Sequence, residues 1–165
     1  MRTSFTRLSF IKLLFVGIEE KVMIYTCTRR FQFCAGHRVH MHESKCRNLH
    51  GHNYVAHVTV AKGAEGSELD DLGRVVDFSA LKEIIGAWID AHWDHKFVLY
   101  ANDTEARAAV ALTATPIYVM QSNPTAENMA RELFDVADRL LVPKGIYPVR
   151  VVLEETENCR AEYAL

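Results

Sequence analysis

Apolar and polar residues alternate along two stretches in the first third of the chain. From Met23 to Phe33, Thr, Tyr, Phe and Ile dominate, and Phe31-Gln32-Phe33 alternates in polarity, which predicts a strand. It leads into Cys34-Ala35-Gly36-His37-Arg38, whose small residues predict a crowded strand end that aims His37 inward. From His50 to Ala61 the period of two is plain. His50, His52, Tyr54, Ala56, Val58 and Val60 fall on one face, and Val55, His57 and Thr59 on the other. The polar segment His40 to Lys45 between these strands predicts a loop. The Gly-rich, acidic run Lys62 to Leu72 predicts another connection, with Arg74-Val75-Val76-Asp77 as a short strand.

The period then changes. Phe78, Leu81, Ile85, Trp88 and His92 recur at spacings of three and four, widened by Ile84 and Ile89, and predict a helix with Asp77 or Ser79 as N-cap. The alanine-rich segment from Asn102 to Thr115 predicts a partial helix, and Ile117 to Met120 a short strand. Asn123-Pro124-Thr125 is a helix-start signal, and Met129, Leu133, Val136 and Leu140 form the stripe of a second full helix that ends before Pro143. From Tyr147 to Thr156, Val149, Val151 and Leu153 share a strand face that ends in Glu155, and a turn near Asn158 leads to a last strand. Strand, strand, helix, helix, strand, strand is an α+β order.

Length and charge narrow the picture. A chain of 165 residues, about half apolar, holds one core, expected over residues 23–165. A net charge of −2 gives no electrostatic case for nucleic acid or an anionic membrane, so a small-molecule partner is expected. Four cysteines without CxxC pairing point to a reducing cytoplasm, and Cys27, Cys34 and Cys159 are expected to be ordinary buried side chains. Residues 1–22 differ in character. Lys12 interrupts the apolar region just before Leu13-Leu14-Phe15-Val16, Glu19 and Glu20 follow it, and no small-x-small cleavage site is present, so an N-terminal extension is expected rather than a signal peptide.

The chemistry concentrates in Cys46-Arg47-Asn48-Leu49-His50-Gly51-His52-Asn53. Alternate strand residues share a face, so His50 and His52 can grip one ion, with His37 as a third ligand and a fourth position open, the donor set of a catalytic Zn²⁺. Two other readings stand beside this one. Histidine is abundant here (His40, His42, His57 and His92), and Cys46 is also able to close the site as a structural ligand. A cation nearby would lower the pKa of Cys46 and make it a base or nucleophile. Asp94-His95 is either a proton relay or a histidine favoured at a helix C-terminus. Glu155 is either a buried anchor for a ligand or an exposed strand end.

These residues, together with Val76-Asp77-Phe78, Pro124-Thr125-Ala126-Glu127-Asn128 and Glu155-Thr156, resemble in content and order the 6-pyruvoyltetrahydropterin synthase and 6-carboxytetrahydropterin synthase family. The resemblance runs from about Met23 to the C-terminus. It implies the tunnelling fold, a four-stranded antiparallel sheet with two helices on one face, assembled as a homohexameric barrel with active sites between subunits. It also implies zinc on His37, His50 and His52, Cys46 as the proton-abstracting thiolate, Asp94 and His95 as its partners, and Glu155 holding the pterin ring. For Thr125 and Glu127 only a cap and an interface role are expected. The short spacing from Cys46 to His50 resembles the bacterial 6-carboxytetrahydropterin branch of queuosine biosynthesis, whose substrate is 7,8-dihydroneopterin triphosphate and whose enzymes are lyases. A pyruvoyl-forming synthase and a non-catalytic pterin- or zinc-binding protein are the alternatives. The segment Asn102 to Gln121 departs from the compact family pattern.

Overall fold

Two long antiparallel strands, β1 (Thr26–His37) and β2 (His50–Lys62), pair along their whole length, from Thr26 opposite Ala61 to His37 opposite His50. They form because both runs alternate and both have a buried face, which fixes the register. The computed structural model describes residues 24–165, so the expectation for residues 1–22 lies outside the described residues. The remaining strands are β3 (Lys96–Tyr100), β4 (Ile117–Met120), β5 (Ile146–Thr156) and β6 (Cys159–Ala164). They complete a six-stranded sheet in the order β4-β3-β1-β2-β5-β6.

Four of these strands, β1, β2, β5 and β6, are the expected antiparallel unit. The sheet is larger than four because β3 and β4 add to it in parallel, β3 pairing with Ala35–His37 and β4 with Phe97–Tyr100. The expected strand at Arg74–Asp77 is absent. The Asp70 carboxylate accepts the N–H groups of Leu72 and Arg74 at 3.0 and 2.9 Å and folds that segment into a turn instead.

The first helix runs through α1 (Phe78–Leu81), a π turn (Lys82–Gly86) and α2 (Ala87–His92), and Asp77 caps it by accepting the Ser79 N–H at 2.8 Å. The wider π turn moves the buried stripe to a spacing of four. Leu81, Ile85, Ile89 and Trp93 are buried, whereas Phe78 is half exposed. The second full helix, α4 (Ala126–Leu141), is capped by Thr125 and buries Met129, Leu133, Val136 and Leu141. Both pack with Phe31, Phe33, Tyr54, Ala56, Val58 and Val98 into one core on one face of the sheet. A third helix, α3 (Thr104–Ala111), packs its Ala106 and Val110 on Leu99, the neighbour of Val98 in β3, and therefore covers the opposite face.

In β5 a bulge between the Thr59 and Val60 pairings changes the parity expected from sequence. Ile146 and Pro148 face the core before it and Val151 and Leu153 after it, with Val149 at the irregularity. Continuing the alternation of Val151 and Leu153, Glu155 falls on the same face as Tyr54 and His52 and reaches the histidines, beside a second register irregularity between Glu154 and Thr156. Among the described residues, no helix is long and apolar enough to cross a membrane.

Candidate active site

His37 and His50 meet because they are opposite residues at the end of the β1–β2 ladder, and His52 lies two residues along the same face. One ligand nitrogen from each of the three lies within 4.8 Å of the others. The close approach of the strands depends on glycine. A Cβ on Gly51 would stand 2.9 Å from the Ala35 carbonyl oxygen, and one on Gly36 would collide with the Phe97 ring.

The tautomers follow from the neighbours. His37 Nδ1 lies 2.8 Å from the Pro124 carbonyl oxygen and His50 Nδ1 lies 2.7 Å from that of Asn48, so each ring donates from Nδ1. Their Nε2 lone pairs then face each other across only 3.0 Å. Two lone pairs at that distance repel unless they share a cation, and His52 Nε2 is buried beside them with no hydrogen-bond partner. The three imidazoles therefore fit a metal ion, with carbonyl oxygens in the orienting role that second-shell groups play at histidine metal sites.

Burial pushes the His37 pKa down to about 4, against the pull of the Pro124 carbonyl and with help from His50 and His52. His52 is lowered by burial too, with Glu155 opposing. A histidine held neutral when folded stabilises the fold above its unfolded pKa and loses that contribution as pH falls. For His37 the window is from roughly 6.5, the unfolded value, down to about 4. The metal-free protein is expected to lose unfolding free energy in urea across this window, and His37→Asn to show a shallower loss; equal slopes would rule out His37 as the source.

Glu155 stands at the same centre, its Oε1 3.4 Å from His37 Nε2 and 3.9 Å from His52 Nε2, with 24% of its side chain exposed. The exposed-end reading is thereby overturned, while its neighbour Glu154 turns to the opposite face and meets His57 at 3.1 Å. Tyr54, two residues beyond His52, is fully buried with an unpartnered hydroxyl. Burial, then the charges of Glu155 and Cys46, raise its pKa. Nothing in the sequence marked Tyr54 beyond its place on the histidine face.

Asp94 and His95 occupy the turn between α2 and β3. His95 adopts a left-handed backbone (φ 56°), held by its N–H donating to the Cys34 carbonyl at 2.7 Å. Asp94 accepts the Cys34 N–H at 2.9 Å and lies 2.8 Å from His95 Nδ1. Burial works to raise the Asp94 carboxyl, but these two partners outweigh it and hold it below the ordinary carboxylate range. His95 Nδ1 is thus engaged and its ring is 79% exposed. His95, His50 and His52 line one cleft of about 430 Å³ with Cys34, Phe97 and Thr115.

Cys46 lies half-buried in a 3₁₀ turn (Lys45–Arg47) just before β2. No hydrogen bond joins it to Asp94 or His95 among the described residues, whereas the three histidines and Glu155 converge within one chain. Of the other cysteines, Cys27 is half-buried, whereas Cys34, which points to the sheet face without the main core, and Cys159, at the start of the edge strand β6, are exposed. Arg38, a candidate anion ligand by charge, is committed to Asp103 and Glu105.

The 6-pyruvoyl tetrahydropterin synthase family profile matches residues 26–165. A 6-carboxy-5,6,7,8-tetrahydropterin synthase from Rickettsia typhi is 40% identical over 138 residues, covering 82% of this chain and 97% of its own length. One from Aquifex aeolicus is 32% identical, covering 86% and 98%. The fold is similar to that of 6-pyruvoyl tetrahydropterin synthase from Caenorhabditis elegans, with 27% identity and a TM-score of 0.61 over 87% of this chain and 96% of that one. The chain belongs to the 6-pyruvoyl tetrahydropterin synthase family and has its tunnelling fold.

Proposed function

We propose that the chain is a zinc-dependent 6-carboxy-5,6,7,8-tetrahydropterin synthase, a lyase that converts 7,8-dihydroneopterin triphosphate in queuosine biosynthesis with release of acetaldehyde and triphosphate. The observation that carries the metal is the facing pair of Nε2 lone pairs on His37 and His50, 3.0 Å apart beside the unpartnered His52 nitrogen. The 6-carboxy-5,6,7,8-tetrahydropterin synthases of Rickettsia and Aquifex that the chain resembles and the short Cys46-to-His50 spacing support the carboxy branch.

Zinc on His37, His50 and His52 would act as a Lewis acid on the substrate's side-chain hydroxyls. Cys46, as thiolate, takes the proton from carbon. His95, its Nδ1 held by Asp94, keeps Nε2 free to deliver or collect a proton. Glu155 offers carboxylate oxygens to the N–H groups of the pterin edge, and its partial exposure leaves it reachable.

Unpaired sheet edges favour a site completed between subunits. The β1 edge from Thr26 to Phe33 has no neighbouring strand opposite β2 among the described residues, and β6 is paired only with β5, so both edges are available for a barrel of copies in the cytoplasm.

Zinc-loaded protein incubated with 7,8-dihydroneopterin triphosphate is expected to yield 6-carboxytetrahydropterin and acetaldehyde by mass spectrometry, from a hexamer by light scattering. A pyruvoyl product, the reading favoured by the Caenorhabditis elegans likeness, would move the chain to the other branch. Unchanged substrate would overturn the enzyme reading, and a monomer would overturn the shared site.

A further inference from the structure

The loop from Arg38 to Leu49 carries Cys46 between the two strands of the histidine cluster, and it is held at three points, two of them by residues far along the chain. The first hold is ionic. Arg38 Nε and Nη2 meet the two carboxylate oxygens of Asp103 at 2.5 and 2.6 Å, and Nη2 also reaches Glu105 at 2.9 Å. Asp103 is fully buried, while Arg38 is 16% exposed. The second hold is on backbone. Asn123 Oδ1 accepts the His40 N–H at 2.8 Å and its Nδ2 donates to the His40 carbonyl at 3.0 Å, so one amide grips both sides of one residue. The third lies between these two, where the Val39 N–H donates to the Cys46 carbonyl at 2.8 Å.

Cys46 is therefore tied to Val39, which is flanked by the two clamped residues Arg38 and His40. The clamps are themselves anchored. Asp103 is the N-cap of α3 and accepts the Ala106 N–H, and Asn123 is fixed by Asn128 Nδ2 donating to its carbonyl at 2.9 Å. The next residue, Pro124, supplies the carbonyl that orients His37. One turn thus sets both the first imidazole and the loop that bears the thiol.

We propose that Arg38, Asp103 and Asn123 are positioning residues that fix Cys46 relative to the histidine cluster, and that this is the role of the segment opening at Asn102. The proposal rests on the reading of Cys46 as the proton-abstracting thiolate. A buried charged pair is weak evidence for stability, because an apolar pair of like volume often serves as well, but it does define one geometry. A loop tied through its Cys46 carbonyl to a residue clamped on both sides has little freedom to drift. A displacement of about 1 Å at a reacting group costs on the order of 10²-fold in rate.

The test uses the zinc-loaded full chain and the variants Asn123→Ala, Asn123→Asp and Asp103→Asn. Cys46 alkylation by iodoacetamide is followed across pH, peptide by peptide, with exposed Cys159 on β6 as internal reference. In Asn123→Ala the expected result is an altered Cys46 rate and pH profile with Cys159 unchanged, zinc still stoichiometric, and kcat down roughly 10²-fold with KM little moved. Asn123→Asp, which keeps the acceptor for the His40 N–H, should recover part of both effects. An unchanged Cys46 profile and kcat in Asn123→Ala would overturn the proposal. So would loss of zinc and a change at Cys159 in every variant, which marks general collapse. Failure of the thiolate reading looks different: Cys46→Ala would turn over substrate, whatever alkylation reports in the clamp variants.

Discussion

Replacing Cys46 with alanine is expected to lower turnover by about 10²- to 10⁴-fold, the usual range for removing a positioned general acid or base, while zinc stays bound. The two halves of this result have separate causes. Cys46 lies outside the cluster of converging nitrogens, which His37, His50 and His52 make without a sulfur ligand. Their orientation comes from the carbonyls of Pro124 and Asn48, which the substitution leaves in place. Metal content by atomic absorption and steady-state turnover on one preparation check both halves. Zinc lost together with activity would make Cys46 a fourth ligand, and cobalt-substituted protein would then show thiolate charge-transfer absorption in the wild type. Full activity without the thiol would remove Cys46 from the chemistry.

How much of this was legible in the sequence varies with the range of the interaction. The histidine cluster was readable because β1 and β2 are consecutive in the chain and both alternate, so local periodicity fixes which side chains share a face. The two full helices were readable for the same reason, and Asp77 and Thr125 cap them as their residue types predict. β4 was readable as a strand at Ile117–Met120, but β3 was not, and their parallel pairing, β3 on Ala35–His37 and β4 on β3, is a contact that no local pattern encodes. The bulge in β5 similarly hid the fact that Pro148, not Val149, packs inward. Asp103 is the plainest case: within Ala101-Asn102-Asp103-Thr104 it reads as a turn residue and helix cap. Its second partner, Arg38, is 65 positions away. Glu155 was readable as the end of the Val151–Leu153 face, but its nearness to His37 depends on β5 pairing with β2, a contact between strands distant in sequence.

Arg38→Ala is expected to destabilise the fold by about 3–5 kcal/mol, because it leaves the buried Asp103 carboxylate without its guanidinium. The Asp103 carboxyl is held below the ordinary range first of all by hydrogen bonds from Arg38, so without them the charged form loses its main support. At roughly 2–4 °C per kcal/mol for a chain of this size, the melting temperature should fall by about 6–20 °C in a calorimetric scan. Glu105, which is 84% exposed, shares the same guanidinium but is screened by water, so Glu105→Ala should change stability by no more than about 1 kcal/mol. The double variant Arg38→Met with Asp103→Leu separates stability from geometry. It removes both charges and should recover most of the loss, less about 1 kcal/mol for the missing cap of α3. If stability returns in that variant while Cys46 reactivity stays altered, the pair is retained for where it places the loop. If reactivity returns as well, an apolar contact of the same volume sets the loop equally well, and the clamp reduces to packing.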